Sequence, residues 1–146
     1  MTDRINVGKL KDVIEPPDLI EIQTRSYKDF LQLDVPSNKR RDVGLQAVFK
    51  EVFPIVSYDD RYVLDFVRYE FVPSRKNPDQ CLKDGDSFAA ALHVTFRLKS
   101  EEGICEEVVY MGEIPVMTES GSFVINGAER VVVSQLHRSP GICFEQ

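Results

Sequence analysis

Few side chains in this sequence have the type and spacing that catalysis requires. Asp84-Gly85-Asp86 places two carboxylates one residue apart, as in loops that bind hard cations, but no EF-hand continuation follows and a turn explains the residues equally well. Ser134 and His137 lie close in sequence, yet the serine is not part of a nucleophile elbow. GxGxxG and Walker loops are absent. We therefore predict that the chain has no catalytic residue, metal site or cofactor of its own.

A different chemistry is indicated by a few polar residues in the long apolar stretch from Val109 to Gly141. Five of them lie close together near its C-terminal end, namely Glu129, Arg130, Gln135, His137 and Arg138. Arginine and glutamine can contact phosphate or sugar groups without reading a base sequence. Either Arg130, Gln135, His137 and Arg138 are polar groups at the edge of a strand, or they form a small basic and amide cluster directed at phosphate or an RNA backbone.

The charge distribution indicates a second surface. The 146 residues carry a net charge of −6, and residues 101–119 contain six glutamates without a lysine or arginine. The rest of the chain carries equal numbers of acidic and basic residues. A net negative charge argues against a general nucleic-acid-binding domain. The acidic segment is either a solvated surface or a docking face for a basic partner.

The composition is that of one soluble globular domain, with 42% hydrophobic residues and neither a signal peptide nor an apolar run long enough for a membrane span. Three cysteines, Cys81, Cys105 and Cys143, are far apart and form no CxxC pair. This usage predicts a reduced, cytoplasmic protein without a structural zinc site.

An extended arm is predicted for residues 1–15, where hydrophobic periodicity is weak. The run Glu15-Pro16-Pro17-Asp18 then favours the first turn of a helix that ends near Leu33. Its apolar face comprises Ile20, Tyr27, Phe30 and Leu31.

A second amphipathic helix is predicted between Asp42, as its N-cap, and Pro54, which ends it. Its apolar positions are Leu45, Val48, Phe49, Val52 and Phe53. The run Lys39-Arg40-Arg41 precedes this helix and is either a solvated linker or a nucleic-acid contact.

Beyond Tyr58 the pattern is that of β-strands, with one short helix predicted at Pro78–Lys83. Tyr62–Val72 is rich in β-branched and aromatic residues and is predicted to be a largely buried strand. Apolar and polar residues alternate from Phe88 to Lys99, which predicts a strand with one face on a core and His93 on its polar face, in a surface or cross-strand role.

The next strand, Glu106–Met117, is predicted to form a hairpin with Phe88–Lys99 around an acidic turn at Ser100–Ile104. We expect Leu98 to lie opposite Val108 in this hairpin. Both strands would then belong to one antiparallel sheet.

Phe123–Ile125 is predicted to be a short strand, followed by a positive-φ turn at Asn126-Gly127. From Ala128 the chain returns as a strand, either directly or after a helical turn, and Val131–Val133 favours the strand. The architecture predicted is α+β, with two N-terminal helices packed on a mainly antiparallel sheet.

Three C-terminal motifs are long and specific, namely Tyr110–Thr118, Gly121–Arg130 and Val133–Gly141. They closely resemble the N-terminal part of the bacterial DNA-directed RNA polymerase β subunit. Earlier pieces agree, namely Pro17–Gln23 with Ser26-Tyr27 and Phe30-Leu31, Gly44–Ile55, and Leu64–Tyr69. The resemblance covers nearly the whole chain.

The resemblance implies that residues 16–146 are the first part of the β1, or protrusion, domain, preceded by the arm at residues 1–15. In this family the β2 lobe interrupts the domain, and a later return of the chain completes it, so an incomplete domain is expected. Because β subunits continue far beyond the position that matches Gly141, the sequence is expected to be a fragment.

The resemblance further implies a part in DNA-templated RNA synthesis from ribonucleoside triphosphates, in the cytoplasm and associated with the nucleoid. The implied partners are the α, β′ and ω subunits, a σ factor, template DNA and the RNA transcript, without a membrane. In this family the aspartates that hold catalytic magnesium lie on β′. This chain alone is therefore expected to be inactive and to contain no cofactor, whereas Mg²⁺ acts in the assembled enzyme.

Matching motifs also imply positions for site residues. Arg130, Val133 and Gln135 match the edge of the rifamycin pocket. Arg130, Gln135 and Arg138 match positions beside the RNA–DNA hybrid, so they are expected to contact or approach nucleic acid. Because the rest of the subunit and the nucleic-acid cleft would meet this segment, we expect these three polar residues to be more exposed in this chain alone than in the assembled enzyme.

Ile104, Cys105 and Glu106 match the β1 surface that the transcription-repair coupling factor uses. That surface is an exposed strand edge that accepts a partner strand, in agreement with the predicted hairpin. Cys105 departs from the polar residue that is commoner there. The alternative function is therefore an isolated, non-enzymatic β1 docking module that binds a transcription factor through these three residues.

Overall fold

The computed structural model describes residues 8, 14 and 17–145, which form three α-helices, one 3₁₀ turn and six strands. The helices are α1 (Glu21–Leu31), α2 (Leu45–Val52) and α3 (Pro78–Asp84), and the 3₁₀ turn is Ser37–Lys39. The strands are β1 (Ile55–Val56), β2 (Val63–Val72), β3 (Ala89–Ser100), β4 (Gly103–Pro115), β5 (Phe123–Ile125) and β6 (Ala128–Arg130). Apart from residues 8 and 14, the predicted arm at 1–15 lies outside the described residues. The helix start predicted at Glu15-Pro16-Pro17-Asp18 is wrong, because the described Pro17 and Asp18 are not helical and α1 begins at Glu21, after its N-cap Ile20.

Strands β1 to β4 form one antiparallel sheet in sequence order, which confirms the predicted α+β class. The predicted β3–β4 hairpin is present, but the pairing of Leu98 with Val108 is wrong. Leu98 pairs with Cys105, and Val108 pairs with Thr95. The turn spans only two residues, with Ser100 already paired to Gly103, so β4 begins earlier than expected and the register moves by three residues.

The core lies between α2 and one face of this sheet. Phe49 of α2 stacks on Phe66 of β2, with ring centroids 4.8 Å apart, and packs beside Tyr69 at 5.9 Å. Leu92 and Val94 of β3 complete the buried cluster. The Tyr69 side chain is fully buried, and its hydroxyl donates a hydrogen bond of 3.0 Å to the backbone carbonyl of Leu31, so helix α1 is tied to the sheet.

Strand β2 is less buried than predicted, because helices cover only one face of the sheet. Tyr69 is the one residue of this strand that is buried, and the others are at least partly exposed. A register shift between Phe66 and Arg68 changes the alternation of side chains along the strand. As a result, Phe66 and Tyr69 both face α2 although they are three residues apart, and Glu70 lies on the open face of the sheet.

Strand β3 alternates as predicted, with Ala90, Leu92 and Val94 buried. His93 lies on the open face, paired with Glu70 on one side and Tyr110 on the other. Its ring centroid is 5.6 Å from that of Tyr110, which agrees with the predicted cross-strand role. Among the described residues, its buried Nδ1 atom has no hydrogen-bond partner.

The predicted N-cap of the second helix is wrong. Helix α2 is capped by Gly44, and Asp42 instead forms an ion pair with Lys50. Gly44 has φ of +59°, and a Cβ atom there would lie 2.5 Å from the Cα of Phe30. Glycine is therefore required where α1 and α2 approach each other, and this contact decides the cap position.

The C-terminal strands form a separate hairpin, β5–β6, around the predicted positive-φ turn. The turn packs on the end of α3, because the amide of Gly127 donates a 3.0 Å hydrogen bond to the carbonyl of Asp86. The strand predicted at Val131–Val133 is wrong. Strand β5 begins at Phe123, opposite Arg130, so residues beyond Arg130 have no partner strand to extend along.

Candidate nucleic-acid interface and docking edge

The C-terminal segment, residues 131–145, contains most of the predicted nucleic-acid and rifamycin positions. All described residues of this segment are exposed, and none lies in a helix or strand. Val133 is 83% exposed, which is unusual for a valine inside an apolar run. Gln135 and Arg138 are exposed as well, and so is Arg130 at the end of β6. All three polar side chains are therefore accessible to a partner in this chain.

The structure does not join these positions into a side-chain cluster. Among the described residues, no hydrogen bond or ion pair links Arg130, Gln135 and Arg138. His137 contacts its neighbour through Nδ1, 3.0 Å from the carbonyl oxygen of Arg138. The exposed arginine and amide groups can bind phosphates, and the exposed valine can contact an apolar ring. Since these side chains do not contact one another, a bound partner would have to span them.

Glu129, the acidic member of the predicted polar set, has a structural role. The Ser122 hydroxyl donates a 2.6 Å hydrogen bond to its carboxylate. The same hydroxyl lies 2.7 Å from the hydroxyl oxygen of Thr118, and the amide of Ser122 donates to Thr118 Oγ1 at 3.2 Å. This network fixes the turn before β5 to strand β6, and it thereby fixes the point at which Arg130 leaves the hairpin.

One residue that the sequence did not indicate contacts the C-terminal segment. The side-chain amide nitrogen of Gln23, Nε2, lies on α1 and donates to the backbone carbonyl of Val132 at 3.0 Å. The same nitrogen is 3.3 Å from Ser134 Oγ. These groups are about a hundred residues apart in the chain, and no local pattern marks the glutamine. Only the tertiary structure reveals this contact.

The predicted docking residues lie on an open strand edge. Strand β4 is the last in the sheet order, and within the described chain no strand pairs with its outer side. An edge of this kind presents unpaired N–H and C=O groups to which another strand can add. Ile104, Cys105 and Glu106 are all exposed there. We call residues 103–111 of β4 the docking edge.

The docking edge presents an apolar row on the open face of the sheet. Ile104, Val108 and Tyr110 pair with Lys99, Thr95 and His93 of β3, so their side chains share one face. They are 69%, 58% and 56% exposed, respectively. The sequence prediction located only the start of this row. Alternation along β4 could have extended it to Tyr110.

Glu106 interrupts this row and is held by an arginine of the neighbouring strand. Arg97 donates through Nε at 2.7 Å to Oε1 of Glu106, and its Nη2 lies 2.6 Å from the same oxygen. Both side chains remain partly exposed, so the pair orients the carboxylate more than it stabilises the fold. Glu102, Glu107 and Glu113 have no ion-pair partner within the described part of the chain, and the edge therefore stays acidic.

The two remaining candidates from the sequence are engaged in the fold. Asp84 and Asp86 both contact the ammonium group of Lys76, and these two hydrogen bonds raise the pKa of the lysine. The loop therefore already holds a cation of its own. Among the described residues, no three metal-ligating side chains come together.

The basic run Lys39-Arg40-Arg41 has a largely structural role. The guanidinium of Arg40 lies 3.9 Å from the Tyr69 ring centroid and donates hydrogen bonds to three backbone carbonyls. Arg41 forms an ion pair with Asp29 of α1. These contacts favour an internal connector over a nucleic-acid contact.

None of the described helices is long and apolar enough to cross a membrane.

Residues 18–142 match the family model described as RNA polymerase beta subunit. The chain is 61% identical over 142 residues to the DNA-directed RNA polymerase subunit beta of Methylacidiphilum infernorum, and 55% identical over 136 residues to that of Protochlamydia amoebophila. It is 51% identical over 144 residues to the same subunit of Chlamydia abortus.

These matches cover 97%, 93% and 99% of this chain, respectively, but the chain spans only 11% or 12% of the length of the curated relatives. All three relatives are named as polymerase subunits. They give no support to an isolated docking module, the alternative function.

Proposed function

The chain belongs to the RNA polymerase beta subunit family, and we propose that it forms the first part of the β1, or protrusion, domain of a DNA-directed RNA polymerase. The observation that carries this proposal is the family match, which extends over residues 18–142 and so includes residues 130–138 and the docking edge. The proposed reaction is DNA-templated RNA synthesis from ribonucleoside triphosphates. The proposed partners are the α, β′ and ω subunits, a σ factor, template DNA and the transcript.

In this proposal the chain supplies a wall of the active-centre cleft and leaves catalysis to another subunit. The magnesium of the assembled enzyme would be held outside this chain, and Asp84 and Asp86 would remain paired with Lys76. The polar groups of Arg130, Gln135 and Arg138 would face the RNA–DNA hybrid. Their exposure supports this assignment, because each guanidinium or amide is available to a phosphate. The proposed location is the cytoplasm, in association with the nucleoid.

The edge of a rifamycin pocket is proposed at Arg130, Val133 and Gln135. We expect Val133→Phe to raise the rifamycin concentration needed for half-inhibition of the assembled polymerase by at least about tenfold, because the larger ring occupies pocket volume. The matched control is Val108→Phe, an equally bulky change at an exposed valine of the docking edge, which should leave inhibition unchanged. Full sensitivity of the Val133→Phe enzyme would show that the pocket assignment is wrong.

A second interface of the same subunit is proposed at the docking edge. An open edge strand, an exposed apolar row and unpaired glutamates favour a partner strand with apolar and basic side chains, such as one from the transcription-repair coupling factor. The test is titration of assembled polymerase with the interaction domain of that factor.

Glu106→Arg should weaken binding by at least about tenfold, since it removes an oriented carboxylate and adds a like charge. Glu119→Arg makes the same charge change at an exposed position outside β4 and should have little effect. Equal losses in the two variants would point to net charge alone and would refute the docking assignment.

A further inference from the structure

Helix α1 carries a side chain that connects it to the candidate nucleic-acid interface. The Gln23 amide donates to the carbonyl of Val132 at 3.0 Å and lies 3.3 Å from Ser134 Oγ. These two contacts flank Val133, a proposed pocket residue. Gln23 itself is only half-buried and takes no part in the core.

The C-terminal segment depends on this contact because little else ties it down. Within the described chain, residues 131–145 make no backbone–backbone hydrogen bond. Among the described residues, the one other hydrogen bond of the segment is local, between His137 and Arg138. The two bonds of Gln23 are therefore the hydrogen bonds that join the described segment to the rest of the described protein.

Gln23 is well placed to hold the segment, because α1 is anchored on both sides of it. Ile20, Gln23 and Tyr27 follow the i, i+3, i+7 spacing of one helix face. Ile20 packs at Gly121, where a Cβ atom would lie 3.2 Å from its Cδ1. The Tyr27 hydroxyl donates to the carbonyl of Pro115, and burial raises the pKa of this tyrosine.

The Tyr27 ring also packs edge-to-face on Phe123 of β5, with centroids 5.1 Å apart. The helix is thus fixed to the strand that pairs with β6, the strand from which the C-terminal segment emerges. A short polar side chain on a fixed helix can set the position of a segment that has no ladder of its own.

We propose that Gln23 is a positioning residue, which holds the backbone of Val132–Ser134 so that Val133 and Gln135 meet their ligands in the required orientation. This inference rests on the function proposed above. It adds a residue that touches neither nucleic acid nor inhibitor and acts through the backbone of the segment. No substrate or metal is required for the contact.

The test uses assembled polymerase that contains the full β subunit, with Gln23→Leu, Gln23→Glu and Arg25→Leu. Leucine keeps the helix and removes both contacts. Glutamate keeps the shape but cannot donate to the Val132 carbonyl, although it can still accept from Ser134. Arg25→Leu is the matched control, because Arg25 is exposed on the same helix.

The first readout is amide hydrogen exchange in residues 131–136. In the assembled enzyme, where the rest of the polymerase is expected to cover these amides, Gln23→Leu should accelerate their exchange on the order of fivefold, the factor that one neutral hydrogen bond is worth, with no change in strand β3. Gln23→Glu should have a smaller or equal effect, and Arg25→Leu should have none. Adding Ser134→Ala to Gln23→Leu should not accelerate exchange further, because Gln23→Leu has already removed the contact with the Ser134 hydroxyl. Unchanged exchange in Gln23→Leu would overturn the proposal.

The second readout is the affinity for rifamycin, with Val133→Phe as the reference variant. Gln23→Leu should weaken inhibitor binding on the order of fivefold, in proportion to its effect on the segment. If Val133→Phe confers resistance while Gln23→Leu binds as wild type, the positioning role is refuted. If Val133→Phe remains fully sensitive, the proposed pocket is wrong, and the exchange readout still decides whether Gln23 holds the segment.

Discussion

Replacing Gly44 with alanine tests the close approach of α1 and α2, on which the packing of the helices depends. Gly44 has φ of +59° and ψ of −130°, a combination that side-chain-bearing residues rarely adopt. Holding alanine in such a conformation costs about 1–3 kcal/mol. In addition, its Cβ would lie 2.5 Å from the Cα and 2.6 Å from the carbonyl oxygen of Phe30. Both atoms are backbone, so only a displacement of α1 or of the chain at the start of α2 can relieve the overlap.

Gly85 provides the control, because its φ is +78° but a Cβ there would meet nothing within 4 Å. Gly85→Ala should therefore cost only the backbone term, about 1–2 kcal/mol. Gly44→Ala should cost at least about 3 kcal/mol once lost packing is included. The assay is urea unfolding followed by far-ultraviolet circular dichroism, since the sequence contains no tryptophan. Equal losses in the two variants would refute the argument from close packing.

Three further predictions concern buried and exposed polar groups. Tyr69→Phe should lower the free energy of unfolding by about 1 kcal/mol, because it leaves the buried Leu31 carbonyl without its donor. Burial raises the pKa of Tyr69, so the tyrosine contributes stability that is complete below about pH 10 and is lost as pH rises through the folded-state pKa. Stability measured against pH should show a smaller alkaline loss for Tyr69→Phe. Arg40→Lys should cost about 1–3 kcal/mol in urea unfolding, since an ammonium group cannot keep the guanidinium contacts with three carbonyls and the ring. Glu106→Gln should change the free energy of unfolding by less than about 1 kcal/mol, because its ion pair with Arg97 is partly exposed. A larger loss would show that this pair supports the fold.

Much of the secondary structure follows from local patterns. The alternation in β3 and the Asn126-Gly127 turn both predict what is observed, because each signal arises from neighbouring residues. The predicted register of the β3–β4 hairpin is wrong, because register depends on the length of the turn and local patterns do not show that this turn has only two residues. Val131–Val133 has strong strand propensity but lies beyond its partner strand, and pairing outweighs propensity there.

The candidate site was predictable to a different extent. Motif resemblance indicates Arg130, Gln135 and Arg138 as candidates, whereas the absence of contacts among them within the described chain is visible only in the structure. The acidic segment was evident from composition, but its place at an open sheet edge required the strand order. Gln23 could not be predicted, because a contact across about a hundred residues leaves no trace in local periodicity.

Site-specific photocrosslinking in the assembled polymerase tests the central claim most directly. A photoreactive p-benzoylphenylalanine at position 135 would stand on the C-terminal segment, and the same residue at position 104 would stand on the docking edge. During transcription with labelled RNA and template DNA, position 135 should crosslink to the hybrid and position 104 should not. Crosslinks from position 104 alone, or none from position 135 in an active enzyme, would contradict the assignment of the C-terminal segment to the nucleic-acid cleft.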